Sequence, residues 1–366
     1  MRALTTAVLV VGICLPAAAG GPTREEVAAG MGLRSEGDLV RGQRDTVGFV
    51  VTASQAEDVL RSALAREAPV RPDEGAVAVV APHDDHLYAA GVAVHATEQV
   101  RAPVVLLVGV FHAAREWDLE GKLVFDAFTA WHGPWGPVEV DGLREGLLGH
   151  LDPADVVVDN AMHEREHSLE ALLVYLQARN RTVRIVPVLV PYVTWPRLEE
   201  LAGELAEALA AEMRSRGWEL GRDLAVVISS DAIHYGPDFD HAPFGTDAGS
   251  YAAAVKREHA LAQQYLAGPI EAAKLEGLYG KLVDPEAPRT YRIPWCGRFS
   301  VPFGLETVRR LGEALGVEIP DGRLLRYGTS ISDPLLEVSP ETVAAGLGTT
   351  AESNLHHWVG YWSIAW

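Results

Sequence analysis

Four short apolar runs punctuate the chain: Ala76–Ala81, Val104–Val110, Val183–Val190 and Leu224–Ser229. They are rich in valine, leucine and isoleucine, and their length and composition predict strands buried on both faces of a sheet. Between and after them, apolar residues return with a helical period. This predicts helices over Ala89–Val100, Leu169–Gln177, Leu198–Arg214, Ala252–Leu266 and Leu305–Leu315. A further apolar stretch, Trp358–Trp366, closes the chain. Strands separated by helices predict an α/β fold, a three-layer sandwich with a central mixed, mostly buried sheet.

Polar clusters interrupt this pattern where the predicted strands end. Pro82-His83-Asp84-Asp85-His86 follows the first run, Phe111-His112 the second, and Asp231-Ala232-Ile233-His234-Tyr235-Gly236 the fourth. Open α/β sheets place their sites at these strand ends. Trp295-Cys296-Gly297-Arg298 joins them as a cluster of the same kind.

One motif points elsewhere. His163-Glu164-Arg165-Glu166-His167 fits H-E-x-x-H, which in zinc peptidases sets two histidines one turn apart on a helix beside a catalytic glutamate. The apolar stripe Leu169, Leu172, Leu173, Leu176 does predict a helix here. Its periodicity, however, turns His163 and His167 away from the apolar face, and Ser168 is a candidate cap that would leave both before the helix. A third ligand would have to come from Glu199 or Glu200, which nothing singles out.

Composition narrows the partners. The chain has 366 residues, 48% hydrophobic and 22% charged, with a formal net charge of -19. An acidic protein without a basic block is a poor match for nucleic acid or anionic membranes. Residues 1–19, with Arg2, an apolar run and Ala17-Ala18-Ala19, read as a cleaved signal peptide, and 20–40 as a linker. The expected location is periplasmic or secreted, with no membrane span after cleavage; a mis-assigned start would make it cytoplasmic. Cleavage would remove Cys14 and leave Cys296 the only cysteine, so no internal disulfide is expected.

With its register moved, the same segment reads Glu166-His167-Ser168-Leu169-Glu170. This resembles the Glu-His-Ser-[Ile/Leu]-Glu signature of the Memo family, the B component of the AmmeMemoRadiSam system. Ala81-Pro82-His83, Tyr88-Ala89-Ala90-Gly91, Gly109-Val110-Phe111-His112, Ile185–Val190, Ser229-Ser230-Asp231, His234-Tyr235-Gly236, Cys296-Gly297-Arg298, Tyr327–Ser330 and Val359-Gly360-Tyr361 resemble further family motifs in the same order. The resemblance runs from about Arg41 to the end and makes 41–366 one Memo-like α/β domain.

The resemblance implies a fold like that of the class III extradiol dioxygenases and a metal pocket whose ligands map to His83, His112 and Cys296. It maps Asp231 and His234 to further pocket groups, with His234 in the place of an acid–base histidine. Iron or copper would be the metal, with zinc a further candidate; imidazole and thiolate suit all three. The implied activity is that of a metal-dependent oxidoreductase acting on a small molecule or peptide. Glu166 and His167 are expected to orient a ligand from behind, and Asp231 to orient His234. Asp84, Asp85, His86, Tyr235 and Arg298 are candidates for the rest of the pocket. The family's Ala-Gly-Tyr is Asp84-Asp85-His86 here. The alternatives are a zinc hydrolase built on His163, Glu164 and His167, and a non-catalytic module that binds a peptide or partner.

Overall fold

The computed structural model describes Val40–Trp366. The predicted leader with Cys14, and the predicted linker up to residue 39, lie outside the described residues. Nine strands form the main sheet: β1 (Ala78–Ala81), β2 (Val104–Val110), β3 (Leu123–Phe125), β4 (Val156–Val158), β5 (Arg184–Val190), β6 (Leu224–Ser229), β7 (Asp231–Tyr235), β8 (Arg323–Thr329) and β9 (Trp358–Ala365). Their order is β7-β9-β1-β6-β2-β5-β3-β4, with β8 on the free edge of β9. The inner strands β1, β6, β2 and β5 are mutually parallel. Strand β9 runs antiparallel to β1, β7 and β8, and β3 antiparallel to β5. The sheet is therefore mixed.

The helices are α1 (Ala53–Glu67), α2 (His86–Thr97), α3 (Leu143–His150), α4 (Asn160–Arg165), α5 (Glu170–Arg179), α6 (Trp195–Arg216), α7 (Ala248–Tyr265), α8 (Ala272–Leu282), α9 (Ser300–Leu315) and α10 (Pro340–Ala344). Because side chains alternate along a strand, each inner strand feeds two cores. Val80, Leu106, Val108, Val186 and Ile228 pack with α6 and α9 on one face. Val79, Val105, Leu107, Ile185 and Val227 pack with α1, α2 and α5 on the other. This is the predicted three-layer α/β architecture, and all four predicted strands lie within it.

Several elements differ from the sequence reading. Helix α6 starts at Trp195 because Pro196, which needs no N–H partner in a first turn, opens it; Gly217, at φ 65°, ends it. Helix α1 opens on a capping box between Thr52 and Gln55, a signal present in the sequence. Asp231–Tyr235, which follows the fourth predicted strand, is itself a strand, with only Ser230 between β6 and β7. No helix among the described residues is long and apolar enough to cross a membrane.

Helix α7 carries an unusual buried group. Glu258 is fully buried, and burial pushes its carboxyl up to about 8 against the pull of Arg257 and of the Trp295 and Ile233 N–H groups. In the unfolded chain it ionises near its ordinary 4.5. Its stabilising contribution is thus complete below that value and is lost as pH rises toward 8. Glu258→Gln removes this loss. Its melting temperature relative to wild type is expected to climb between pH 4.5 and 8 and then level. A difference that does not change with pH in calorimetric melts would contradict the assignment.

Candidate metal centre

The site lies at the carboxyl ends of the parallel strands. Strand β1 runs into His83, and β2 into His112. Strand β7 carries His234 and grips the segment before α9: His234 N–H donates to Pro294 O at 3.0 Å, and Ile233 bridges Trp295. That grip sets Cys296 beside His234. A Cβ on Gly297 would lie 2.1 Å from Ser230 Oγ, so only glycine lets the Cys296 turn pack this closely on the end of β6.

The side chains converge. One ligand atom each from His83, His112 and Cys296 come within 4.8 Å of one another. His112 Nε2 is 3.2 Å from Cys296 Sγ, and His234 Nε2 is 3.6 Å from it. Two overlapping groups meet the same distance limit: His112, Glu166 and His167, and Asp231, His234 and Cys296. The His112 and His167 rings stack, with centroids 4.8 Å apart.

Hydrogen bonds behind the histidines fix which nitrogen faces the cluster. Ser229 Oγ spends its only proton on Ser168 O at 2.6 Å, so its contact with His83 Nδ1 at 2.8 Å must have the imidazole as donor. His83 Nε2 is then left facing the cluster. It is buried and lacks a hydrogen-bond partner, with Asp231 Oδ2 3.4 Å away. Glu166 Oε1 accepts from His112 Nδ1 at 2.8 Å, which turns His112 Nε2 toward Cys296 in the same way. Glu166 also accepts the N–H groups of His112, His167 and Ser168 at 2.7–2.9 Å. Burial opposes its charge, but His112 and these donors hold the carboxyl well below its ordinary range.

The same logic applies to the thiol. Burial disfavours a thiolate at Cys296, yet the adjacent His234 and His112 outweigh it and hold the thiol well below its ordinary value. Burial likewise opposes charge on His234, and the Cys296 thiolate raises the imidazole to about 9. Two imidazole nitrogens and a thiolate, within 4.8 Å of one another, form a donor set that fits a transition-metal ion.

The other predicted residues divide. Asp84, Asp85, His167, Asp231, His234 and Arg298 line the cavity of about 420 Å³ beside the cluster. His86 does not. Its Nδ1 accepts from Val50 N–H at 3.0 Å and its Nε2 donates to Ala171 O at 2.9 Å, and burial pushes it down to about 4. Tyr235 is also outside: it is fully buried, donates to Gly245 O and stacks on Trp358. Residues alternate across a strand, so His234 and Tyr235 cannot face the same side. Asp231 does not hydrogen-bond His234. Its Oδ1 takes the N–H groups of His83 and Asp84 at 2.9 and 3.2 Å, fixing the loop that carries His83.

The H-E-x-x-H segment is not one helix. Helix α4 ends at Arg165, and Glu166 is extended. His163 is fully buried, donates from Nε2 to Val124 O at 3.1 Å, and belongs to none of the ligand groups among the described residues. Ser168 does not cap α5; its hydroxyl donates to Val110 O.

Sequence reasoning missed the strap that covers this loop. Arg41 donates to the carbonyls of His163 and Glu166 and to the Glu170 carboxylate. Glu170 also accepts the N–H groups of Arg44 and Asp45. These contacts join residues more than a hundred positions apart, so no local pattern announces them.

A doubly covered mixed sheet, with imidazoles and a thiolate meeting at the ends of its parallel strands, defines an α/β sandwich protein with a His/Cys cluster able to hold a metal. Sequence comparison gives the family. The family model described as Memo-like protein matches residues 50–339. A MEMO1 family protein of Aquifex aeolicus is 28% identical over 66% of this chain and 76% of its own length. Another, of Methanothermobacter thermautotrophicus, is 31% identical over 43% of this chain and 54% of its own length. Three further MEMO1 family proteins, of Thermococcus onnurineus, Pyrobaculum arsenaticum and Caldivirga maquilingensis, are covered over 65%, 55% and 54% of their length. The solved structure of uncharacterized protein JW3007 from Escherichia coli K12 covers 77% of this chain and 98% of its own at a TM-score of 0.35 and 14% identity. The chain belongs to the Memo family.

Proposed function

We propose that the protein holds one iron or copper ion on His83 Nε2, His112 Nε2 and Cys296 Sγ, and uses it in redox or oxygen-dependent chemistry on a small molecule or peptide. The observation that carries this reading is the convergence of one ligand atom each from His83, His112 and Cys296 within 4.8 Å, at the end of a buried His83 whose Nδ1 is held by Ser229. A bound ion would supply one-electron chemistry and positions for oxygen or substrate.

The chain's own residues have definable roles in this reading. Ser229 and Glu166 hold His83 and His112 in the tautomer that presents Nε2. His112 Nε2 and Cys296 Sγ, 3.2 Å apart, would have to give up the proton between them to hold an ion. His234, 3.6 Å from Cys296 and lining the cavity, is placed to donate a proton to a group bound there. Zinc remains a candidate on ligand chemistry. Residues 1–19 would export the protein, and intact-mass analysis of material from an exporting host would reveal their removal.

Dioxygen uptake by the iron- or copper-loaded full chain, with catechol-type compounds supplied, tests the chemistry. Uptake that needs both metal and substrate supports it; a loaded protein that consumes no oxygen with any oxidisable compound sets it aside. Glu166 supplies a second test. Glu166→Gln keeps the shape but weakens the acceptor behind His112, and is expected to lower metal affinity by about 10–100-fold. Competition with a chromophoric chelator measures this, and an unchanged affinity would place the metal elsewhere.

A further inference from the structure

One cation on the wall of the cavity beside the cluster lacks an anion. Arg298 lines that cavity and forms no ion pair among the described residues. Its Nη1 donates to Trp295 O at 3.1 Å, while its Nε is buried without a hydrogen-bond partner. The rings of Tyr291 and Phe299, with centroids 5.1 and 5.3 Å from Cζ, hold the guanidinium in place. A guanidinium presents five N–H donors in a rigid, planar fork. A carboxylate matches that fork, because its two oxygens can accept two N–H groups side by side.

The acidic groups of the same cavity do not meet this need, and the protein's own donors already serve them. Asp84 accepts the N–H of Asp85 at 2.8 Å and the Tyr361 hydroxyl at 2.5 Å. Asp85 accepts the N–H and hydroxyl of Thr350 at 2.5 and 3.0 Å. Burial and the neighbouring Asp84 also push Asp85 up to about 7, which reduces its charge. Asp45 accepts the N–H groups of Val47 and Gly48, both at 2.9 Å. Asp231 accepts those of His83 and Asp84. The acceptors on this wall are satisfied and its arginine donor is not. Buried donors are almost always paired, so the missing partner is an acceptor.

A second feature favours negative charge at the same end. Helix α9 opens at Ser300, two residues after Arg298, and no side chain caps it. The Ser300 hydroxyl is spent on Ser229 O at 3.0 Å. The first turn of a helix carries partial positive charge on its unpaired N–H groups. The segment that runs into this helix supplies Pro294, Cys296 and Arg298 to the cavity wall, so the helix starts beside the arginine's end of it. Phe49, Phe239 and Tyr291 add apolar surface to the lining. The cavity, about 420 Å³, lies in the small-molecule range of about 300–1,000 Å³.

We propose that Arg298 anchors the carboxylate of a small-molecule substrate whose apolar body lies along Phe49, Phe239 and Tyr291, within reach of His83, His112 and Cys296. A carboxylate fits better than a phosphate, because the aspartates on the lining penalise a second negative charge. That the bound molecule is a substrate rests on the metal reading above; the anchor itself does not.

Ligand-observed NMR titration of the full chain tests this with phenylacetate, its neutral isostere phenylacetamide, and benzylphosphonate, which takes a second charge. Metal-stripped protein is used first, so that no ion can hold the carboxylate, and zinc-loaded protein second. In the metal-stripped protein phenylacetate is expected to bind at least about tenfold tighter than phenylacetamide, and tighter than benzylphosphonate. Arg298→Gln keeps a donor for Trp295 O but loses the charge. It should cut the acid-to-amide ratio to about twofold or less while the amide's own affinity holds. Arg298→Lys keeps the charge without the fork and should fall between the two. Melting curves check that each variant is folded; if Arg298→Gln does not fold, the wild-type ratio and Arg298→Lys carry the test. Equal affinities for acid and amide, tighter binding of the phosphonate, no binding of any probe, or a ratio unmoved in the folded variants overturns the proposal. Acid preference in a protein that takes up no metal would uphold the anchor while ending the metal reading. Metal uptake without acid preference would do the reverse.

Discussion

Loss of His83 or Cys296 is expected to empty the metal centre. Full-chain His83→Ala and Cys296→Ala, each offered iron, copper and zinc and then desalted, should retain less than about a tenth of the wild-type metal by elemental analysis, because each removes one of the three donors that define the site. His163→Ala is the control. It should lose stability, since His163 is fully buried and bonded to Val124 O, but keep its metal. Circular dichroism separates loss of ligand from loss of fold. Metal retained in both site variants would shift the ion to His112, Glu166 and His167, which also come within 4.8 Å of one another. Metal lost only in His163→Ala would restore the H-E-x-x-H reading.

Arg41→Ala should destabilise the protein by about 3–5 kcal/mol, the cost typical of breaking a buried ion pair from one side. Arg41 and Glu170 are about 1% and 2% exposed at the side chain and 2.5 Å apart. Alanine would leave the Glu170 carboxylate and the carbonyls of His163 and Glu166 without their charged donor, and would remove a guanidinium lying 4.2 Å from the Trp131 ring centroid. The same segment carries Glu166, which orients His112, so metal affinity should fall with stability. Chemical denaturation gives the first quantity and chelator competition the second. Arg41→Ala with Glu170→Leu should recover part of the stability, since no charge is then stranded. A loss below about 1 kcal/mol would mean that the pair behaves like a surface contact.

The sequence by itself determined the layers. Inner strands buried on both faces must be apolar along their whole length, so β2 and β6 read as unbroken runs with the observed limits. It also determined that His83, His112, His234 and Cys296 lie close to strand ends or turns, and the ordered motifs tied them to one family. The short edge strands β3 and β4 were not legible, because three residues carry no usable period. Helix α1 had a readable signal in Thr52 and Gln55.

Only the tertiary structure decided what each polar group does. Asp84, Asp85 and His86 are consecutive, yet the first two line the cavity and His86 is locked between Val50 and Ala171. His163 and His167 look like a pair and are not, because the chain leaves the helix at Glu166. The tautomers of His83 and His112 depend on Ser229 and Glu166, at separations of 146 and 54 residues. Hydrophobic periodicity is a local property and survives in the sequence. Hydrogen-bond partnership across the fold is not local, and it is what turns a list of histidines into a site.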